Sequence, residues 1–160
     1  MKMKILKSFI LLICSLLFIL SCANPSEEEY TEIKQYFKNT HNYEIDNDLQ
    51  AVFVLTSIGC KPCNNSFSQF MLSKNYNDKA IYLIKASRNV IDLSEYKNYK
   101  GAIFYDSKFE DNIFSNSKVI FINDRKTDTI INIEALSLEK SFRLIENKML
   151  GENKSNISMK

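Results

Sequence analysis

The chain has 160 residues, 45% hydrophobic and 25% charged, with a formal net charge of +2. Its length suits one domain of ordinary size with a real core. Three glycines, two prolines and no tryptophan argue against a loop-rich or repeat architecture, and a charge balance this close to neutral leaves no footprint for nucleic acid.

Lys2, Lys4 and Lys7 precede a 13-residue apolar run, Ser8 to Leu20, and then Ser21-Cys22. A positive n-region, a short apolar h-region and a small residue before a cleavage point describe a signal peptide over residues 1–21. A spanning helix needs about 20 apolar residues, and Asn24-Pro25 followed by Glu27-Glu28-Glu29 stops the run earlier.

Ile19-Leu20-Ser21-Cys22 resembles the lipobox of bacterial lipoproteins. The resemblance implies a diacylglyceryl thioether on Cys22, usually with an N-acyl chain, and more than one acyl chain is what stable anchoring takes. The location implied is a bacterial membrane, on its periplasmic face or at the cell surface. Ordinary secretion with a free Cys22 is the alternative. Removing Lys2, Lys4 and Lys7 from the 21 basic residues leaves 18 against 19 acidic ones. Glu27 to Glu29 reads as a solvated tether, or as a resemblance to the acidic signals that route some lipoproteins to the surface.

Residues 22–44 then form a tether and a helix, with Tyr30, Ile33, Tyr36 and Phe37 at spacings of three and four. Asn39 to Asp48 is a polar connection, and the single histidine, His41, reads as a surface residue. Ala51 to Thr56 is a continuous apolar, β-branched and aromatic run, as for a central strand buried on both faces. Ser57-Ile-Gly-Cys60-Lys61-Pro62-Cys63 follows directly. Phe67, Phe70, Met71 and Leu72 then recur at helical spacing to about Lys74.

Ala80 to Lys85 reads as a second core strand. Residues 91–99 read as a helix ending at Gly101, Ala102 to Asp106 as a short strand, and 109–114 as a helical turn. Lys118–Asn123 and Thr129–Ile133, joined by five polar residues, read as a hairpin. Leu136, Leu138, Phe142, Leu144, Ile145 and Met149 supply the apolar face of a closing helix, with Ser137 as N-cap. A polar tail covers 151–160. The order predicts an α/β domain with a mixed central sheet and helices on both faces.

With Cys14 lost with the signal peptide and Cys22 consumed by lipid, Cys60 and Cys63 alone remain as thiols, in a compartment where disulfides persist. A bridge between them closes too short a loop to stabilise the chain much through entropy. A cysteine in the first turn of a helix meets unpaired N–H groups and the positive end of the helix dipole, which favour thiolate. Cys60 is then the attacking sulfur and Cys63, one turn on and more buried, the resolving one. Pro62 suits a first turn, and Lys61 adds a positive charge nearby.

Strand, Cys-x-Pro-Cys, helix, strand, helix, hairpin, helix over residues 45–150 resembles the thioredoxin superfamily. Gly101 to Asp106 looks like the insertion of the TlpA/ResA-like thiol-disulfide oxidoreductases. The resemblance implies a thioredoxin-like fold and a redox-active Cys60–Cys63 pair. It implies exchange with protein thiols or disulfides outside the cytoplasm, with neither organic cofactor nor metal. Gly59 stands where that family usually has an aromatic residue and Val54 where thioredoxins place a buried acid. Ser117 stands near the family's cis proline. A cis bond at Ser117 would cost about 2.5–4 kcal/mol, so a trans peptide is expected there.

The direction of electron flow depends on a reduction potential that two intervening residues do not reveal. Four zinc ligands are not present in one chain, which leaves only a metal bridging two chains. The arginine and threonine of a peroxiredoxin site are not evident. A lipid-anchored scaffold or binding protein that keeps the fold without efficient catalysis is the main alternative.

Overall fold

A computed structural model describes residues 25–74, 76, 78–86, 91, 93–108 and 112–151. The segment 1–21 read as a signal peptide, Cys22 and the tail from residue 152 lie outside the described residues. Helix α1 spans Pro25–His41, strand β1 Ala51–Thr56, α2 Lys61–Ser73, β2 Ala80–Lys85, β3 Ala102–Asp106, β4 Lys118–Asn123, β5 Lys126–Asn132 and α3 Leu138–Met149. The strands form one mixed sheet in the order β3-β2-β1-β4-β5. β1, β2 and β3 are parallel; β4 runs antiparallel to β1, and β5 antiparallel to β4.

All six residues of β1 and all six of β2 are buried, because the sheet is covered on both sides. The two-residue period of a strand sends alternate side chains to opposite faces. Ala51, Phe53 and Leu55 join Tyr82, Ile84, Val119 and Phe121 under α2 (Cys63, Phe67, Met71) and α3 (Ile145, Met149). Val52 and Val54 join Ile81, Leu83, Ile120 and Ile122 under α1, which contributes Tyr30, Ile33 and Phe37. Truncating a buried phenylalanine such as Phe53 or Phe67 to alanine would cost about 3–5 kcal/mol.

Helix α1 is therefore a layer of the fold. Glu27 and Glu28 lie in its first turn, where negative charge suits the helix dipole. Glu27 also pairs with Lys126 of β5 at 2.6 Å. All three glutamates read as a tether are thus helical.

Several local expectations are corrected. Among the described residues of the segment 91–99 read as a helix, Leu93–Tyr96 form a 3-10 turn. Leu93, Tyr96 and Tyr99 recur every three residues, which is the 3-10 period rather than 3.6. Gly101 is not a left-handed helix cap. A Cβ there would sit 2.5 Å from the Tyr99 ring, so the glycine serves close approach. The turn before β4 is Asn112–Phe114; residues 109–111 lie outside the described residues. The hairpin link is two residues, with Asn123 paired to Lys126. Asp124 and Arg125 both take positive φ, 50° and 61°, as a two-residue hairpin turn requires. Leu136 is fully exposed and Leu144 44% exposed, leaving Leu138, Phe142, Ile145 and Met149 as the inward stripe of α3. Ser137 precedes α3 but makes no side-chain cap bond, since the chain enters through a 3-10 turn at Ala135–Ser137. His41 is not a plain surface residue. Its ring lies 4.9 Å from that of Phe104, and its Nε2 is buried without a hydrogen-bond partner.

No described helix is long and apolar enough to cross a membrane.

Candidate functional site

β1 occupies the centre of the sheet, with β2 parallel on one side and β4 antiparallel on the other. Antiparallel pairing sets the start of β4 against the end of β1, with Lys118 opposite Val54. Ser117, one residue before β4, thereby reaches Thr56, the last residue of β1. The chain leaves β1 as a short loop, Ser57 to Cys60, before α2 begins. Ser57 N–H still donates to the Lys85 carbonyl at 3.0 Å, so the loop starts from the sheet.

Gly59 takes φ +90°, with open space where a Cβ would project. That backbone conformation suits glycine and strains any L side chain. This is the physical reason for glycine at position 59.

Cys60 is the N-cap of α2, with extended backbone at φ −72° and ψ 101°. Its Sγ accepts the backbone N–H of Cys63 at 3.3 Å. The two cysteines are joined by a disulfide, Cα to Cα 5.2 Å. Cys63 is buried, with 3% exposed, while Cys60 is half-buried and Lys61 and Pro62 are exposed. Pro62 lies in the first turn, and that turn carries no acidic residue. After reduction, a thiolate on Cys60 would face an N–H donor and the positive end of a 13-residue helix.

Ser117 is buried and lies beneath this loop. Its Oγ accepts the Thr56 N–H at 2.9 Å and donates to Asn64 Oδ1 at 2.7 Å. Asn64 Nδ2 donates to the Ile58 carbonyl at 3.0 Å. Among the described residues every peptide bond is trans, that before Ser117 included. A groove of about 330 Å³ runs beside Cys60, walled by Ile58, Gly59, Asn64, Ser117 and Ile133. Ile58, 47% exposed, forms part of its apolar rim.

Cys60, Cys63, Gly59, Lys61, Pro62 and Ser117 therefore share one end of the sheet. Sequence reasoning missed Asn64 and Thr56, whose roles depend on the pairing of β1 with β4. It also missed a buried ion pair. Lys85 Nζ lies 3.2 Å from Asp106 Oδ2, across neighbouring strands whose register aligns the two residues. The Tyr36 hydroxyl donates to the same oxygen at 2.7 Å, and the Lys108 N–H donates to Oδ1 at 2.8 Å. A lysine and an aspartate ending two consecutive apolar strands were the available signal.

Val54 is fully buried beneath α1, so no carboxylate stands at that point of β1. Asp106 is the buried carboxylate among the described residues. Burial raises its pKa, but the Lys108 N–H, the Tyr36 hydroxyl and the Lys85 ammonium together hold the carboxyl below its ordinary value. No group of three or more metal-ligating side chains occurs among the described residues.

Comparisons with models of known protein families, with curated proteins and with solved structures return no match.

Proposed function

We propose that this protein is a thiol-disulfide oxidoreductase of thioredoxin-like type that exchanges electrons with protein thiols or disulfides through Cys60 and Cys63. The observation that carries the reading is the asymmetry of the pair. Cys60 is half-exposed at the N-terminus of α2, beside a groove, and Cys63 is buried one turn further on. The order of strands and helices around them, with the pair at the end of the central strand, supports the thioredoxin-like reading.

In the reducing direction the Cys60 thiolate attacks one sulfur of a substrate disulfide. A Cys60–substrate bond forms and the other substrate sulfur leaves as thiolate. Cys63, deprotonated, then attacks Cys60 Sγ, expels the second substrate sulfur and closes the Cys60–Cys63 disulfide. Two electrons pass to the substrate, whose thiolates take up the protons; the oxidising direction reverses each step. The sequence from Lys2 to Cys22 supports a location outside the cytoplasm, with lipid on Cys22 as the membrane anchor.

The test is a reduction potential for the Cys60–Cys63 pair of the full-length protein, together with capture by a Cys63→Ser variant. Mixed disulfides on Cys60, lost on adding Cys60→Ser, support the reading. A pair that neither exchanges with a thiol buffer nor captures a partner would instead favour a tethered scaffold. Val54 in place of a buried acid, with Gly59 and Ser117 where the resembled family has other residues, is what favours that second reading.

A further inference from the structure

We infer that Asn64 and Ser117 are positioning residues that hold the Cys60 loop and thereby set the ionisation and reduction potential of the dithiol. The inference rests on the oxidoreductase reading above and adds the residues that tune it.

The hydrogen bonds run in one direction through buried groups. Thr56 N–H donates to Ser117 Oγ, the Ser117 hydroxyl donates to Asn64 Oδ1, and Asn64 Nδ2 donates to the Ile58 carbonyl. Each donor is thus assigned by the partner before it, and the orientation of the Asn64 amide is fixed by both ends. The backbone N–H of Asn64 also donates to the Cys60 carbonyl at 2.9 Å. One residue of α2 therefore grips the loop at both Ile58 and Cys60, with Gly59 reversing the chain between them.

Thr56 adds a second hold, its Oγ1 donating to the Ile58 carbonyl at 3.2 Å and accepting the Ile58 N–H at 3.3 Å. Thr56, Asn64 and Ser117 are all buried, so these bonds form away from competing water. The grip spans two elements: Ser117 leads into β4, while Asn64 belongs to α2. Cys60 Sγ is aimed at the Cys63 N–H only while the loop keeps this shape. Loosening the loop would blur that alignment, raise the Cys60 thiol pKa and stabilise the reduced dithiol less.

The experiment compares wild type, Asn64→Ala, Ser117→Ala, the double variant and Ser117→Thr, each as the full-length chain in detergent. Three quantities are read: the equilibrium with glutathione, the pH midpoint of Cys60 alkylation in the reduced protein, and thermal unfolding. Each alanine variant is expected to move the equilibrium about tenfold toward disulfide, or about 30 mV toward a more reducing potential, and to raise the alkylation midpoint. The double variant should shift little further than either single one, since both act through one chain of bonds. Ser117→Thr keeps the hydroxyl and should show less than a third of the alanine shift. If an alanine variant does not fold, Asn64→Leu, close to isosteric, carries the same comparison.

Folded variants with unchanged potential and midpoint, whatever their thermal stability, would overturn the inference and leave the oxidoreductase reading standing. Fully additive shifts would also overturn it. A wild-type pair that never equilibrates with glutathione would overturn both.

Discussion

Lys85 and Asp106 meet inside the protein, Nζ 3.2 Å from Oδ2, with 1% and 7% of their side chains exposed. The ammonium also lies 5.1 Å from the Tyr36 ring centroid and 5.7 Å from that of Phe114, so aromatic faces complete its surroundings. Breaking such a pair costs more than replacing it, because the remaining charge stays buried without its counterion. Asp106→Ala should lower unfolding free energy by about 3–5 kcal/mol. The joint replacement Lys85→Met with Asp106→Leu should recover part of that loss, since no charge stays buried without its counterion, although Tyr36 and Lys108 lose Asp106 as acceptor. Urea unfolding of the three proteins measures this; a double variant as unstable as Asp106→Ala would contradict it.

Acid should act through the same carboxyl. Asp106 titrates lower in the folded protein than in the unfolded chain, so the unfolded chain binds its proton first as pH falls. The stability this supplies is complete above the unfolded value of 3.8 and is lost as pH drops through the folded one. Wild-type stability should therefore fall below about pH 4, and the Lys85→Met, Asp106→Leu protein should show a shallower slope in that window.

His41 gives a second window. Burial depresses its pKa below 6.5, Lys85 adds to the effect and Asp106 opposes it. The folded state thus prefers neutral imidazole, and stability is complete above pH 6.5 and declines as pH falls toward the folded value. His41→Phe should remove the slope that opens below pH 6.5, and should not destabilise at pH 7, where it also removes the unpartnered Nε2. Thermal unfolding across that range reads the difference. A slope retained in His41→Phe would assign it elsewhere.

At Gly59 the cost of a side chain is purely conformational, since nothing lies within 4 Å of the added Cβ. Gly59→Ala should destabilise by about 1–2 kcal/mol and speed proteolysis at the loop. An unchanged midpoint in urea would mean that the loop relaxes to negative φ without penalty.

The strands that carry the fold were legible because their signal is local. Ala51–Thr56, Ala80–Lys85, Ala102–Asp106 and Lys118–Asn123 are dense in residues that suit a pleated, covered surface. The start of β5 was not legible, since its turn uses Asp124-Arg125 rather than a glycine-containing pair, and the strand opens on polar residues. The 91–99 segment was misread because apolar residues every three positions mimic a helical face over so short a span. At the site, the Cys60–Cys63 spacing and the neighbouring Gly59, Lys61 and Pro62 could be read from order alone, and Ser117 only through the resemblance to a known family. Asn64 could not. A polar residue following Cys63 carries no mark of burial, and its partner Ser117 is 53 positions away, adjacent only once β4 pairs with β1.

The most direct test of the account is the pH dependence of alkylation at each cysteine of the reduced, full-length protein, resolved by peptide mass. Cys60 is expected to react first, with a midpoint below the ordinary thiol value of about 8.5, while Cys63 stays protected until the chain is unfolded. Equal protection of both sulfurs, faster reaction at Cys63, or a Cys60 midpoint at or above that value would contradict it.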